Sequence, residues 1–201
     1  MCGLRQNDQI QIQIDQIVSG CHWLIRRHFF LDLFWMSSSP TLTLNSGHEM
    51  PVLGLGTWLS KPGEVKAAVK AALLAGYRHI DCAAVYENEA EVGEAFEEVF
   101  GDEANGISRE DVFVTSKLWS NAHKRDAVRP ALEKTLADLK LDYLDLYLVH
   151  NPFAIEKDDE GNNHAVFVSV GETWGAMEAC VEAGLTRSLF SAVHQIEVLF
   201  R

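Results

Sequence analysis

From about residue 52 to residue 185, segments with the hydrophobic pattern of a β-strand alternate with segments that have the hydrophobic spacing of a helix. Four short apolar runs are typical of β-strands, and each precedes a stretch with apolar residues every three or four positions, which is typical of an amphipathic helix. The four runs are residues 52–58, 77–81, 112–117 and 144–150. Repeated strand–helix alternation predicts an α/β fold with a parallel sheet.

Glycines mark the predicted helix ends. Gly76, Gly101 and Gly184 follow the apolar stripes, where glycine commonly ends a helix. We expect Pro130 in the first turn of the third helix, where a missing N–H is tolerated.

The sequence also predicts the structure of two segments outside the strands and helices. Residues 41–44 alternate polar and apolar before the turn-forming residues 45–47, so we expect a short hairpin there. Residues 156–163 are acidic and polar, and we expect them to form an exposed loop.

The first 35 residues differ in character from the rest of the chain. Gln and Ile alternate over residues 9–14, and an apolar patch at residues 28–35 contains Asp32. A signal peptide would have an uninterrupted apolar core and a small-residue cleavage site. We expect residues 1–35 to be an atypical, disordered extension, with a membrane-targeting helix as the less favoured alternative. The domain then covers residues 36–189.

Ionisable residues stand where the predicted strands end. Asp81, Lys117 and His150 each end a strand, and Tyr86 lies in the loop five residues after Asp81. In a barrel of strand–helix units, catalytic groups lie at the carboxyl ends of several strands. We therefore expect these four side chains to converge, which favours an enzyme over a binding module.

The chemistry of these four residues suits carbonyl reduction. A buried Lys117 needs a partner such as Asp81 to stay charged. A cation beside Tyr86 favours the phenolate, so the hydroxyl can give a proton to a developing alkoxide. His150 could hydrogen-bond the same oxygen or relay the proton. A hydride donor would complete the reaction.

Each residue taken alone also has a structural interpretation. An Asp–Lys pair at strand ends is often purely structural, a loop tyrosine usually packs, and a histidine after a strand is usually a structural one. Metal binding by His79, Asp81 and His150 is an alternative, but no spacing typical of a metal motif supports it, so we expect no metal. The coincidence of several such residues at one rim outweighs the structural interpretations.

Length, net charge and cysteine spacing further restrict the kind of protein and the partners that fit this chain. The 201 residues suit one domain but fall short of the roughly 250 of a complete eight-unit barrel. A net charge of −12 disfavours nucleic acid and anionic membranes as partners. The four cysteines form no Cys-x-x-Cys pair and no apolar run reaches 18 residues, so we expect a cytoplasmic protein without a membrane span.

Four motifs carry a resemblance to the aldo-keto reductase family. They are Gly-Leu-Gly-Thr-Trp at 54–58, Gly-Tyr-Arg-His-Ile-Asp-Cys-Ala-Ala-Val-Tyr-Glu-Asn-Glu at 76–89, Val-Thr-Ser-Lys-Leu-Trp at 114–119 and Asp-Tyr-Leu-Asp-Leu-Tyr-Leu-Val-His at 142–150. The resemblance covers about residues 42–189 and is nearest to the branch that reduces aldehydes with NADPH. It implies a partial TIM (β/α)8 barrel: the first four βα units plus a fragment of a later strand.

The resemblance also implies roles for the four strand-end residues. Tyr86 would be the proton donor, Lys117 would make it a stronger acid, Asp81 would pair with Lys117, and His150 would assist. The substrate would be an aldehyde or ketone.

NADPH is the cofactor that the resemblance implies. Its contacts would come from Thr57, Trp58 and Gln195. Substrate contacts would come from Trp58, Trp119 and His150.

The sequence departs from the family's pattern in two places. Asn151 stands where the family usually has tryptophan after the histidine. Residues 190–198 resemble the sixth strand of the family rather than the fifth, which we interpret as an internal deletion, and residues 190–201 form a divergent tail. The family holds the cofactor's phosphates with loops after strands seven and eight, for which we find no counterpart.

Two hypotheses therefore remain open. The chain is an NADPH-dependent reductase, or it is a catalytically inactive truncated form that acts at most as an interaction module. In the second case an exposed sheet edge would favour self-association.

Overall fold

A computed structural model describes residues 40–191 of the chain. The predictions for residues 1–35, for Gln195 and for most of the tail at 190–201 lie outside the described residues. Within the described part, nine strands and four α-helices follow one another. In chain order they are β1 (Thr41–Thr43), β2 (Glu49–Pro51), β3 (Leu55–Gly56), α1 (Val65–Leu74), β4 (His79–Asp81), α2 (Glu89–Phe100), β5 (Phe113–Leu118), α3 (Arg125–Leu139), β6 (Leu146–Val149), β7 (Ala154–Lys157), β8 (Asn163–Val166), α4 (Val170–Glu182) and β9 (Leu189–Ser191).

Five of the strands form one parallel sheet. Their order is β3-β4-β5-β6-β9, and each neighbouring pair runs parallel. Each helix connects one strand to the next, so α1 to α4 also pack against one another in chain order. The prediction of an α/β fold with a parallel sheet is confirmed, and the four predicted strands correspond to β3, β4, β5 and β6. The predicted hairpin at residues 41–47 is also present as the antiparallel pair β1–β2.

The apolar core lies between the sheet and the helices. Alternate strand residues such as Ile80, Val114 and Tyr147 face it, together with the apolar stripe of each helix. The other strand positions, including Asp81 and Lys117, lie on the opposite face. None of the helices between residues 40 and 191 is long and apolar enough to cross a membrane.

The start of α3 differs from the prediction. The helix begins at Arg125, so Pro130 lies in its second turn rather than its first. The backbone N–H of Arg125 donates to the carboxylate of Glu172 over 3.1 Å. This partner comes from α4 and satisfies a donor that a helix start otherwise leaves open. The earlier start therefore depends on a residue distant in sequence.

The predicted loop at residues 156–163 is in fact part of a hairpin. Strands β7 and β8 pair antiparallel, with Ala154 opposite Val166. The carboxylate of Asp158 closes the turn by accepting from the N–H groups of Glu160 and Asn162 at 3.0 and 2.8 Å. Residues 158–162 thus form the predicted exposed loop, organised by Asp158 through local backbone bonds, while the ends of the predicted segment belong to the two strands.

Helices α2 and α3 approach each other closely at Gly93. A Cβ atom at this position would lie 2.2 Å from the carbonyl oxygen of Asp138 and 2.8 Å from the carbonyl carbon of Leu139. Both obstacles are backbone atoms of α3, so they cannot move without shifting that helix. The spacing of the two helices therefore requires glycine.

We expect Gly93→Ala to lower the free energy of unfolding by about 3 kcal/mol, because the added methyl group forces the helices apart. Urea denaturation measures the loss. Gly171→Ala in α4 is the matched control, since a Cβ there meets nothing within 4 Å. Its effect should be neutral or stabilising by up to about 1 kcal/mol. Equal effects of the two substitutions would contradict the packing argument.

Candidate active site

Lys117 lies at the centre of the candidate site. Its side chain is only 10% exposed, and its ammonium group is 2.8 and 2.9 Å from the two carboxylate oxygens of Asp81. It also donates to the carbonyl oxygen of Cys82 at 2.7 Å and to the hydroxyl of Tyr86 at 3.2 Å. The ion pair expected from the sequence is therefore present, and the nearly buried cation has a full set of acceptors.

Strand register brings these groups together. Asp81 is the last residue of β4 and pairs with Thr115 of β5, so Lys117 lies two residues further along the same face. Beyond the end of β4 the chain turns away, with the N–H of Cys82 still bonded to the carbonyl of Thr115 at 2.8 Å. The ammonium of Lys117 thus meets the freed carbonyl of Cys82.

Tyr86 reaches the lysine from a tight turn. Residues Ala84–Tyr86 form one 3-10 turn, and Glu87 follows with a φ of +57°, in the left-handed region. The ammonium of Lys117 lies 4.8 Å from the centre of the tyrosine ring, in addition to its contact with the hydroxyl. The turn therefore brings both the ring and the hydroxyl of Tyr86 to the cation.

His150 completes the group of four. It follows β6, and its backbone N–H donates to the carbonyl of Leu118 at 3.1 Å. Its ring meets the rings of Tyr86 and Trp119 edge to face, with centroids 6.0 and 5.2 Å apart. Burial, and secondly the charge of Lys117, lower the pKa of His150. The imidazole is therefore neutral at pH 7 and suited to donating a hydrogen bond.

The predicted cofactor and substrate residues separate into two groups. Trp58 is 67% exposed and its ring lies 6.4 Å from that of Tyr86, while Trp119 is half-buried beside His150. Thr57 is buried instead, and its hydroxyl and backbone N–H both donate to the carbonyl of Asp81 at 3.1 Å. Thr57 thus joins two strand ends rather than presenting its hydroxyl at the rim, and its cofactor role stays a prediction.

A buried carboxyl group that was not predicted from the sequence lies next to the site. Glu89 is 3% exposed and accepts hydrogen bonds from the hydroxyls of Ser116 at 2.6 Å and Thr135 at 3.0 Å. Burial raises the pKa of Glu89, although both hydroxyls oppose the rise. A signal was available, because Glu89 continues the apolar stripe of α2 through Val92 and occupies a core position.

Both ring nitrogens of His79 have hydrogen-bond partners within the protein. Its Nδ1 lies 3.0 Å from the carbonyl oxygen of Pro51, and its Nε2 lies 3.0 Å from the hydroxyl of Thr115. Among residues 40–191 no group of three His, Cys, Asp or Glu side chains is placed to hold a metal ion. The described residues therefore offer no metal site built on His79.

Comparison with known proteins identifies a family. Residues 52–198 match the sequence profile of the Aldo/keto reductase family. Aldo-keto reductase family 1 member A1 of Gallus gallus is 53% identical over 155 residues, which are 74% of this chain and 47% of that protein. The Homo sapiens protein of the same name is 53% identical over 153 residues, 73% of this chain and 47% of its own length.

Solved structures give the same result. The aldose reductase from Schistosoma japonicum matches with a TM-score of 0.70 and 46% identity, over 76% of this chain and 52% of its own. The Bombyx mori aldo-keto reductase in complex with NADP matches with a TM-score of 0.68 and 41% identity, over 77% and 50%. These likenesses confirm the partial (β/α)8 barrel. The chain spans about half the length of the curated relatives that it matches.

Replacing Asp81 should leave the cation of Lys117 inadequately balanced. We expect Asp81→Asn to lower the free energy of unfolding by about 2 kcal/mol, less than for a fully buried pair because water reaches Asp81. Lys117→Met should cost about 1 kcal/mol, since it removes the buried charge itself. Urea denaturation at pH 7 gives both values.

The matched control for this charge removal is Glu133→Gln. Glu133 pairs with Arg129 at 2.7 Å on the exposed face of α3, and its loss should change the free energy of unfolding by less than about 0.5 kcal/mol. A larger loss for Lys117→Met than for Asp81→Asn would contradict the argument.

Glu89 should make stability depend on pH. Its pKa is raised on folding from an ordinary value of 4.5. Protonated Glu89 therefore contributes stability that is complete below the unfolded pKa and is lost as pH rises through the folded pKa. We expect Glu89→Gln, which stays neutral, to gain stability relative to the original protein as pH rises from 4.5 to 8. Melting temperatures of both proteins across this range test the sign, with the exposed Glu182→Gln as control. Parallel pH curves would refute it.

Proposed function

We propose, since this chain belongs to the aldo/keto reductase family, that it supplies the proton in an NADPH-dependent reduction of an aldehyde or ketone to an alcohol. One observation carries the proposal. The hydroxyl of Tyr86 lies 3.2 Å from the ammonium of Lys117, which Asp81 neutralises from the other side.

The side chains divide the work of proton transfer. As negative charge develops on the carbonyl oxygen, Tyr86 gives it the hydroxyl proton. The ammonium of Lys117 stabilises the phenolate that remains, and the carboxylate of Asp81 balances the charge of that ammonium. Neutral His150 donates a second hydrogen bond to the same oxygen. A positioned acid of this kind contributes roughly 10²–10⁴ in rate.

The surface beside Tyr86 suits a flat cofactor ring. NADPH, when bound, supplies the hydride. The exposed indole of Trp58 offers an apolar face next to the tyrosine, so Trp58 is the described residue that we propose to hold the nicotinamide end. Thr57 supports it indirectly by fixing the strand end, and Gln195 is proposed as a further contact.

Aromatic side chains favour an apolar carbonyl compound as substrate. Trp58 and Trp119 lie on either side of the Tyr86–His150 pair, in ring contact with Tyr86 and His150 respectively. Rings in this position exclude water and favour aromatic or aliphatic aldehydes. We propose Trp119 and Trp58, with His150, as the substrate contacts.

A catalytically inactive form that interacts with a partner is the second candidate. Strand β3 is an outer strand of the five-stranded sheet, and Val52 and Leu53, just before it, are more than half exposed. An apolar segment beside an outer strand favours association through the sheet. In this case we propose self-association without turnover.

We propose the cytoplasm as the site of either function. Cys82 and Cys180 are both buried free thiols, which a reducing compartment maintains. The net charge of −12 gives no attraction to anionic lipid surfaces.

The proton-donor proposal predicts the effect of Tyr86→Phe. We expect NADPH oxidation in the presence of pyridine-3-carbaldehyde to fall by roughly 10²–10⁴, because the ring stays while the acid is lost. NADPH binding, measured by cofactor fluorescence, should change little. Absorbance at 340 nm follows turnover.

Tyr77→Phe is the matched control and should leave turnover unchanged, because Tyr77 precedes β4 at the opposite end of that strand from the site. Retention of activity in Tyr86→Phe would refute the assignment of the acid. NADPH binding without turnover, or no binding, together with dimers by light scattering, would support the inactive form instead.

A further inference from the structure

Asn88 directs its side chain away from the helix that it precedes. It is the residue before α2, where asparagine is among the best capping residues, yet it makes no side-chain cap bond. Its amide nitrogen instead donates to the backbone carbonyl of Thr57 at 2.8 Å. A carbonyl oxygen only accepts, so the amide oxygen faces elsewhere, and it is buried without a partner among the described residues. The side chain of Asn88 therefore does not cap α2 and instead makes one long-range hydrogen bond, to Thr57.

That bond closes a ring of contacts around the tyrosine turn. Thr57 is tied to the end of β4, because its N–H and its hydroxyl both donate to the carbonyl of Asp81. Residues 82–87 run between Asp81 and Asn88 and carry Tyr86. Both ends of this short segment are therefore fixed to one another through Thr57.

Glu89 fixes the same segment to β5 from the other side of the sheet. Its carboxyl accepts from Ser116 at 2.6 Å. Ser116 and Lys117 are consecutive strand residues, so their side chains point to opposite faces. Tyr86 reaches Lys117 on one face while Glu89 holds Ser116 on the other, so residues 86–89 straddle the end of β5.

The turn needs such support. Glu87 adopts φ +57°, which is unfavourable for a residue with a side chain. Backbone of this kind persists only where the surrounding contacts fix it. Without the bond from Asn88, Glu87 could relax and withdraw the hydroxyl of Tyr86.

We propose that Asn88 is a positioning residue for the proton donor: its bond to Thr57 holds the hydroxyl of Tyr86 within reach of Lys117. Glu89 is the second anchor of the same segment. The inference rests on the proposed function for its catalytic meaning, but the coupling between Asn88 and Tyr86 exists whether or not the chain turns over.

A double-mutant cycle on the melting temperature tests this coupling directly. Tyr86→Phe in the original protein should lower the melting temperature by about 2–4 °C, because it removes one hydrogen bond of a half-buried hydroxyl, which contributes about 1 kcal/mol. In the Asn88→Ala background the same change should lower it by less than half as much, because the hydroxyl no longer meets Lys117. Asn88→Asp keeps the side-chain volume and removes the amide donor. The effect of Tyr86→Phe on the melting temperature is also measured in this background, which replaces Asn88→Ala if that variant is too unstable.

Asn105→Ala is the matched control. Asn105 lies beyond the far end of α2. Its amide also donates to a backbone carbonyl, that of Val99, at 3.3 Å. In this background Tyr86→Phe should keep its full effect. An equal effect of Tyr86→Phe in the Asn88 variants and in the original protein would overturn the proposal.

Steady-state kinetics provide a second measurement on the same variants. With pyridine-3-carbaldehyde and NADPH, Asn88→Ala should lower kcat about tenfold with an unchanged KM for the aldehyde, since the substrate contacts remain. An unchanged kcat would also overturn the proposal. If neither the original protein nor its variants oxidise NADPH, the proposed function fails, and the melting-temperature cycle alone decides the role of Asn88.

Discussion

The ammonium group of Lys117 sets the main constraint on this structure. A cation that is almost excluded from water must be matched by acceptors, because an unbalanced buried charge is highly unfavourable. Its partners come from three places: the carboxylate that ends β4, the first carbonyl beyond that strand, and the tyrosine turn. The register of β4 on β5 and the shape of the following turn must satisfy all three at once. The hydroxyl of Tyr86 is therefore the third acceptor of this ammonium group, while the charge itself is balanced by Asp81.

The strand that carries this lysine is polar on both faces near its end. Lys117 faces Asp81 and Tyr86, while Ser116 faces the carboxyl of Glu89 under the helices. All six residues of β5 are buried, so these polar groups depend on one another rather than on water. Apolar packing around Val114 and Leu118 offsets the cost. The candidate site is thus supported by the same layer that stabilises the fold.

The sequence was sufficient for the features that depend on periodicity and on strand ends. Apolar spacing located the parallel strands and their helices, and placing Asp81 and Lys117 at adjacent strand ends predicted their ion pair. The missed features have partners far away in sequence or in an unexpected direction. Glu172 satisfies the start of α3 from 47 residues away, and Asn88 turns from its own helix to Thr57. Local propensity favours a cap at such an asparagine, so only tertiary placement reveals its actual bond.

The order of the parallel strands also has a consequence for biosynthesis. Strands β3, β4, β5 and β6 are neighbours in the sheet in the same order in which they occur in the chain, and the four candidate residues lie between Asp81 and His150. A ribosome adds such a stretch of about 70 residues in roughly 4–14 s, and folding proceeds from the amino-terminal side. Each of β4, β5 and β6 follows its sheet neighbour in the chain, so the partner strand is already synthesised when each of these pairings forms. The lysine, its counter-ion and the tyrosine can therefore assemble on the nascent chain before α4 and β9 are translated.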